Sequence, residues 1–386
     1  MFFSPKTSAD GLVFHYDTGN TVRSYLGEPT TNLLPSGVAA VHDAASGNAV
    51  AVTDATTEKG PGWKKVTITA RGSNYRALQW TYLSMSANVN YIFSAAFDWG
   101  NLRSKNYFIY FDGDGTGGRT YYRPGDYSNA GSELIDSTMP DGKFAGKILH
   151  SGAHTHSFFI GNYTTGVSGL NDYFYYKEFQ AEANSHPTQF TTGTRSATQG
   201  LKDLTAANTI NLSNVSFDSN AQMTFDGTDD YVITSNFPQL SNWTTELFLK
   251  PTVYTSAQKV ILDVNLGIRF EISNGFFNSH FGNGSGWIYT NLPSTTSIAA
   301  NKWFHVVVTV QSGGQAKVYV NGVLENSTNI GSGTTPNIPL YVGRFTGASG
   351  YEFNGEIPVT KIYNRALTAD EVTRNFNAIK SRFNIG

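Results

Sequence analysis

Lys302-Trp-Phe-His-Val-Val-Val-Thr-Val310, followed by Lys317-Val-Tyr-Val-Asn-Gly-Val323, is the stretch on which the fold turns. Four valines and a threonine within nine residues favour an extended, buried strand over a helix, because β-branched side chains pack well on a pleated surface. Asn321-Gly322 then predicts a two-residue hairpin turn, since both of its central positions need φ > 0. Working outward, short strands are expected at Tyr231–Thr234, Thr245–Lys250, Val260–Val264, Ile268–Ile272 and Leu340–Val342. Upstream the same reading gives Lys65–Ala70, Tyr75–Leu83, Asn106–Phe111, Ser157–Ile160 and Asp172–Gln180. From Val89 to Trp99, alternate residues (Val89, Tyr91, Phe93, Ala95, Phe97, Trp99) share one face of a long strand. Gly, Asn, Asp and Ser separate these runs, as turns require. Pro358 interrupts a strand-like run, so that strand should be an edge or carry a bulge. Many short strands at regular spacing predict an all-β chain of two antiparallel jelly-roll sandwiches.

One helix is expected, at the end. Thr368-Ala-Asp-Glu371 has capping-box spacing, and Val372, Phe376, Ile379 and Phe383 follow as one apolar stripe. Composition agrees with this helix-poor picture: charged residues are only 15% of the 386, against 14% aromatic and 39 glycines. Net charge is −2 with no basic cluster, which excludes a nucleic-acid footprint. No apolar run approaches bilayer-spanning length, so membrane insertion is not expected. Cysteine is absent, which removes disulfides and thiolate metal sites. The opening residues Met1-Phe-Phe-Ser-Pro-Lys carry no signal-peptide pattern, so synthesis in a host cytoplasm is expected.

The ordered set Phe225-Asp-Gly-Thr-Asp-Asp-Tyr231, Lys302–Val310, Lys317–Val323, Leu340-Tyr-Val-Gly343, Gly355-Glu-Ile357 and Ile362-Tyr-Asn-Arg-Ala-Leu-Thr368 resembles the laminin-G-like, concanavalin-A-type lectin jelly roll. The tail Asn375–Phe383 is similar to the end of such domains in tailed-bacteriophage structural proteins. A second, shorter resemblance covers residues 28–194. There Tyr173-Phe-Tyr-Tyr-Lys-Glu-Phe-Gln-Ala-Glu182, Pro187-Thr-Gln-Phe190 and Gly193-Thr-Arg195 look like the closing strand of carbohydrate-binding-module-like sandwiches. Asp10-Gly-Leu-Val-Phe-His-Tyr-Asp17 resembles the opening strand of the laminin-G-like domain. The expected arrangement is therefore discontinuous: residues 1–27 give its first strand, 28–194 an inserted sandwich, and 195–386 the remainder. Insertion at a surface loop is tolerable because domain termini are often close together. The alternative is two domains in series.

No Gly-x-Ser-x-Gly elbow, Walker loop or His-Glu-x-x-His occurs. A retaining glycosidase needs two carboxylates about 5 Å apart; the nearest acids, Glu352 with Glu356 and Glu178 with Glu182, lack the intervening acid and are expected to be solvated. His154-Thr-His156 has alternate spacing that could ligate a metal, or be two ordinary strand histidines. Asp112 and Asp114 in a Gly-rich turn, and Asp226, Asp229 and Asp230, offer oxygens suited to calcium, against the plainer reading of turn-forming acids. Aromatic side chains are the remaining signal, since flat rings cover the C–H faces of sugars while polar neighbours fix orientation. Trp80, Tyr82, Trp99, Tyr107 and Tyr110 form one candidate carbohydrate-binding set, on the first sandwich. Asn278, His280, Asn283, Trp287, Tyr289 and Tyr351 form the other, where loops could build a rim. The competing reading for both is core.

Together these features lead to the expectation of a non-enzymatic bacteriophage surface protein of tail, fibre or head. It would need no cofactor, with calcium as the one metal the acids admit. It would form a homo-oligomer or sit in several copies on the virion, contact other virion proteins and adhere to host-surface glycans. The alternatives are a purely structural decoration or fibre subunit and, behind it, a glycan-cleaving enzyme.

Overall fold

The computed structural model describes residues 7–34, 49–70, 76–79, 83–105, 107–112, 118–123, 126–128, 133–135, 141–149, 153–162, 170–184, 187–192, 194–217, 223–252 and 258–386. The chain divides into two compact units, one built from Met1–Pro29 and Ser196–Gly386, the other from Thr30–Arg195.

In the first unit the valine run Phe304–Val310 lies inside an eight-stranded sheet. Its order is Ser216–Phe217, Met223–Asp226, Asn354–Tyr363, Trp243–Pro251, Phe304–Val310, Gln315–Val320, Val323–Asn329, and Leu12–Asp17 also pairs with Asn354–Tyr363. Asn321 and Gly322 have φ of 49° and 81°, the left-handed pair that the hairpin demands. The facing seven-stranded sheet runs Ile210–Ser213, Tyr231–Asn236, Pro339–Val342, Lys259–Val264, Ile268–Ser273, Phe276–Gly282, Trp287–Ser297. Alternate residues of both sheets, among them Trp243, Leu247, Val306, Val308, Phe270, Phe277 and Phe281, fill the space between them.

Leu12–Asp17 runs antiparallel to Asn354–Tyr363, with Phe14 opposite Ile362 and Tyr16 opposite Thr360. Phe14 and Tyr16 enter the same core as the later strands. Pro358 does not mark an edge, because its strand is central. The residue sits where the neighbour on one side changes from Met223–Asp226 to Leu12–Asp17, and beside the register shift between Phe248 and Lys250 on the other. Its missing N–H falls where the ladder is already interrupted.

The C-terminal helix spans Ala369–Ile379 with the full capping box: Glu371 N–H donates to Thr368 Oγ1 and Thr368 N–H to Glu371 Oε2. Val372 and Phe376 are buried, and Phe383 stacks on Phe248. The helix thus covers the outer face of the eight-stranded sheet.

The second unit has a seven-stranded sheet, in the order Asp126–Ser128, Gly118–Arg123, Gly142–Leu149, Asn90–Asp98, Tyr173–Glu182, Lys64–Ala70, Ala49–Asp54. Its five-stranded partner contains Glu133–Ile135, Tyr107–Asp112, His154–Asn162, Arg76–Gln79 and Leu83–Met85. The two ends of this unit meet, Thr30 pairing with Arg195 and Thr31 with Thr194. Beside them lies a polar clasp. Glu182, fully buried, accepts from Thr188 N–H at 2.8 Å, Thr188 Oγ1 at 2.7 Å, Gln180 Nε2 at 2.8 Å and Thr30 Oγ1 at 2.8 Å. Asn32 Nδ2 donates to the carbonyls of Phe179 and Thr191, and Arg195 Nη2 donates to Gln189 O. Glu182 is therefore not the solvated acid that the sequence suggests; it fastens the returning segment Pro187–Phe190 to its own strand.

Candidate functional site

Strand alternation sends Ile268, Phe270 and Ile272 inward and leaves Arg269 and Glu271 on the outer face of the first unit's seven-stranded sheet. The register sets Arg269 opposite His280 and Glu271 opposite Asn278, a two-by-two block of polar side chains. Asp263 lies opposite Arg269 and opposite Tyr341, extending the row across the next two strands.

Arg269 is the centre of this block. Its Nε donates to Asp263 Oδ1 at 2.9 Å, and its guanidinium carbon lies 3.9 Å from the Phe345 ring centre and 4.9 Å from that of Trp287. Burial pushes the Asp263 carboxyl above its usual range, while Arg269 and the Thr346 hydroxyl, 2.8 Å away, pull it partway back. Phe345 meets Tyr351 edge-on at 5.7 Å, and Trp287 meets His280 edge-on at 6.0 Å. His280 Nε2 lies 3.2 Å from Glu271 Oε1 without making a hydrogen bond, and buried Asn278 Oδ1 has no hydrogen-bond partner either. Buried polar atoms of this kind are normally satisfied by protein, water or ligand.

The structure thus brings together four residues picked from sequence, Asn278, His280, Trp287 and Tyr351. It adds Arg269, Glu271, Asp263 and Phe345. The alternation Ile-Arg-Phe-Glu-Ile at 268–272 already placed Arg269 and Glu271 on an outer face; nothing local in the sequence brings Phe345 to them. Two candidates do other work. Tyr289 turns to the core side, stacked on Phe281 at 6.3 Å, because a bulge sets it opposite Phe281 and Trp287 opposite Gly282. Asn283 shapes the adjoining turn, its Oδ1 accepting from the N–H groups of Ser285 and Gly286.

In the second unit, Trp99 and Tyr107 are 1% and 0% exposed, and neither offers a face to a ligand. Trp99 stacks on Phe97 at 4.4 Å, and the Tyr107 hydroxyl donates to Asp172 at 3.1 Å. Their aromatic alternation belongs to the core. Trp80, Tyr82 and Asp114 lie outside the described residues, as do the side chains of Tyr110, Asp112, His154 and His156.

Asp226, Asp229 and Asp230 converge, each offering a carboxylate oxygen within 4.8 Å of the others. Asp226 Oδ1 accepts from Thr228 N–H, Asp230 Oδ2 from Asp226 N–H, and Asp229 Oδ2 from Asn214 Nδ2. One oxygen of each is thus spent on the turn. Burial, with the charges of Asp226 and Asp229, raises the Asp230 carboxyl to about 6. Crowded carboxylates of this kind fit a hard cation such as calcium, which would relieve their repulsion.

The acids considered for glycoside cleavage are each engaged. Glu352 is buried and accepts from Gly350 N–H at 2.7 Å, which again differs from the solvated placement expected. Glu356 pairs with Lys250, and Glu178 with Lys177 at 3.1 Å.

Residues 226–373, less than half of the chain, match the family model described as the concanavalin A-like lectin/glucanases superfamily. That span carries most of the two facing sheets of the first unit, and its fold is of this type. No curated protein matches the chain. Similar solved structures include the binding domain of Paraclostridial Mosquitocidal Protein 1, at 17% identity and a TM-score of 0.41, over 46% of this chain and 49% of that one. Another is the botulinum neurotoxin serotype D ligand binding domain in complex with N-acetylneuraminic acid, at 18% and 0.39, over 47% and 49%. A third is the binding domain of botulinum neurotoxin DC in complex with rat synaptotagmin II, at 15% and 0.39, over 48% and 50%. The likeness spans about half the length of each of these chains.

Proposed function

We propose that the protein is a non-catalytic, lectin-like adhesion protein that binds glycans on the outer face of the first unit's seven-stranded sheet. The carrying observation is the block of Arg269, His280, Glu271 and Asn278, with unpartnered polar atoms, set beside the rings of Trp287, Phe345 and Tyr351. A sugar needs that combination: a flat apolar face against its C–H groups, and donors and acceptors for its hydroxyls. Asn278 Oδ1 and His280 Nε2 are buried, so a ligand reaches them as the covering side chains give way. Affinity per site is low, and many copies on one particle raise it by effective concentration.

Display on a bacteriophage virion, alongside other virion proteins, is part of this proposal. It rests on the resemblance of the tail Asn375–Phe383 to phage structural proteins. Calcium at Asp226, Asp229 and Asp230 belongs to it as well, as a support for the rim. A glycan array probed with multimerised protein tests the adhesion. Binding that Trp287→Ala removes supports it; no binding by the multimer sinks it in favour of a structural role. Mass spectrometry of purified particles tests the virion setting.

A further inference from the structure

Beneath the C-terminal helix, the outer face of the eight-stranded sheet buries polar groups that the glycan site does not use. Glu246 and Lys361 stand directly opposite each other on neighbouring strands, and Asn375 comes down onto them from the helix. All three are at most 1% exposed. Glu246 holds the other two with its two oxygens: Oε1 lies 3.2 Å from Lys361 Nζ, and Oε2 accepts from Asn375 Nδ2 at 2.7 Å. Asn375 Oδ1 accepts from the Ser8 backbone N–H at 2.7 Å. His305 and the Tyr363 hydroxyl touch the same carboxylate at 3.3 Å and 3.2 Å. Around them Phe376 stacks on His305, and apolar groups including Val307, Leu367, Val372, Phe248 and Phe383 exclude water.

We propose that Lys361 and Asn375 join in an intramolecular isopeptide bond, with Glu246 as the proton carrier, tying the central strand Asn354–Tyr363 covalently to the C-terminal helix. The parts match the chemistry: a nucleophilic amine, a carboxamide, a carboxylate touching both nitrogens, and a backbone N–H on the oxygen that becomes negative. Lys361 passes one proton to Glu246, and the neutral Nζ then adds to Asn375 Cγ. Charge gathers on Oδ1, where the Ser8 N–H receives it. Glu246 gives its proton to Nδ2 and takes the second from Nζ. The Cγ–Nδ2 bond breaks, the carbonyl reforms and ammonia leaves, finally taking the proton from Glu246 as ammonium. Lysine ammonium plus carboxamide thus become amide plus ammonium, with no oxidant or cofactor.

Two physical reasons favour the reaction here. The reacting groups are held on one carboxylate in a dry site, so the encounter is intramolecular. A buried lysine charge is also costly, and amide formation removes it. Burial pushes the Glu246 carboxyl up, but Lys361, His305 and Asn375 together hold it well below the usual range. Proton transfer from Lys361 to Glu246 across the 3.2 Å contact is the first step. With no cysteine in the chain, a disulfide could not do this stapling.

The intact mass of the purified full chain is decisive. It is expected to fall below the sequence mass by about 17 Da, one ammonia, with a branched peptide joining Lys361 to Asn375 on digestion. Glu246→Gln and Asn375→Ala should show the full mass. Wild-type protein at the full mass after prolonged incubation overturns the proposal, whether or not the variants fold. A mass loss that peptide mapping places elsewhere, such as a succinimide at Asn321-Gly322, overturns it equally.

Discussion

Replacing Glu182 by alanine should strongly destabilise the second unit while sparing the first. Glu182 accepts four hydrogen bonds between 2.7 and 2.8 Å, two of them from Thr188. The threonine hydroxyls can rotate to other acceptors, as Thr188 already does toward Gln189 O. The Thr188 N–H and one Gln180 donor cannot be re-satisfied so easily. Hydrogen bonds to a charged acceptor contribute about 1.5–3 kcal/mol each, so two lost bonds cost roughly 3–6 kcal/mol. Lys143 adds to this, because burial pulls its ammonium down while Glu182 pulls it back up. A loss of that size is comparable with the whole stability of a small domain, roughly 5–15 kcal/mol. Glu182→Gln keeps the shape and can still accept from Thr188 N–H, so it should cost only about 1–2 kcal/mol. Calorimetry of the full chain should show one transition falling by roughly 10 °C or disappearing, with the other unmoved. A shift below about 1 kcal/mol for Glu182→Ala would refute the account of the clasp. Transitions that moved together would refute the prediction that the loss is confined to the second unit.

For the glycan site, Arg269→Met keeps much of the side chain's bulk but removes the donors; together with Trp287→Ala it should weaken multivalent glycan binding by at least ~10-fold, about 1.4 kcal/mol. Equal binding by both variants and wild type on a biosensor would move the site elsewhere. A second expectation concerns acid. Burial, followed by the charge of Lys361, lowers His15 from 6.5 to about 4. The unfolded chain therefore takes up this proton near 6.5 and the folded chain only near 4. This contribution is complete above neutral pH and is lost as pH falls through that window, about 3 kcal/mol in all. His15→Gln should flatten urea midpoints measured between pH 7 and 4; an unchanged slope would contradict the burial argument. Third, millimolar calcium should raise the first unit's melting temperature at pH 7.5, less so at pH 5 as Asp230 takes up its proton. Asp229→Asn with Asp230→Asn should abolish the shift, and its absence from wild type removes calcium from the rim.

Much of the first unit was legible because its signals are local. The valine run with its Asn-Gly turn, the alternation at 268–272 and the capping box at Thr368–Glu371 each fix backbone geometry over a few residues, and the structure follows them. Aromatic residues were legible as strand formers but not as site or core. Trp99 and Trp287 both sit in aromatic, strand-rich stretches, yet one is sealed between sheets and the other lies on an outer face. That choice depends on which side of each strand meets a second sheet, and for Tyr289 on a one-residue bulge that reversed its direction.

By itself, then, the sequence determined the valine-rich strand with its hairpin, the all-β class and the amphipathic C-terminal helix, because propensity, turn chemistry and periodicity act between near neighbours. It did not show that Phe276–Gly282 and Trp287–Ser297 are strands rather than rim loops, nor the short helix Thr56–Lys59. Only the tertiary structure decided the meetings across long stretches of chain. Leu12–Asp17 pairs with residues some 340 positions later, Phe345 crosses to Arg269, and Glu246 collects Lys361 and Asn375 on one carboxylate. The physical reason is that burial and charge pairing depend on distance in space. A glutamate reads the same in sequence whether it faces water or, as Glu182 and Glu246 do, the inside of a closed polar cluster.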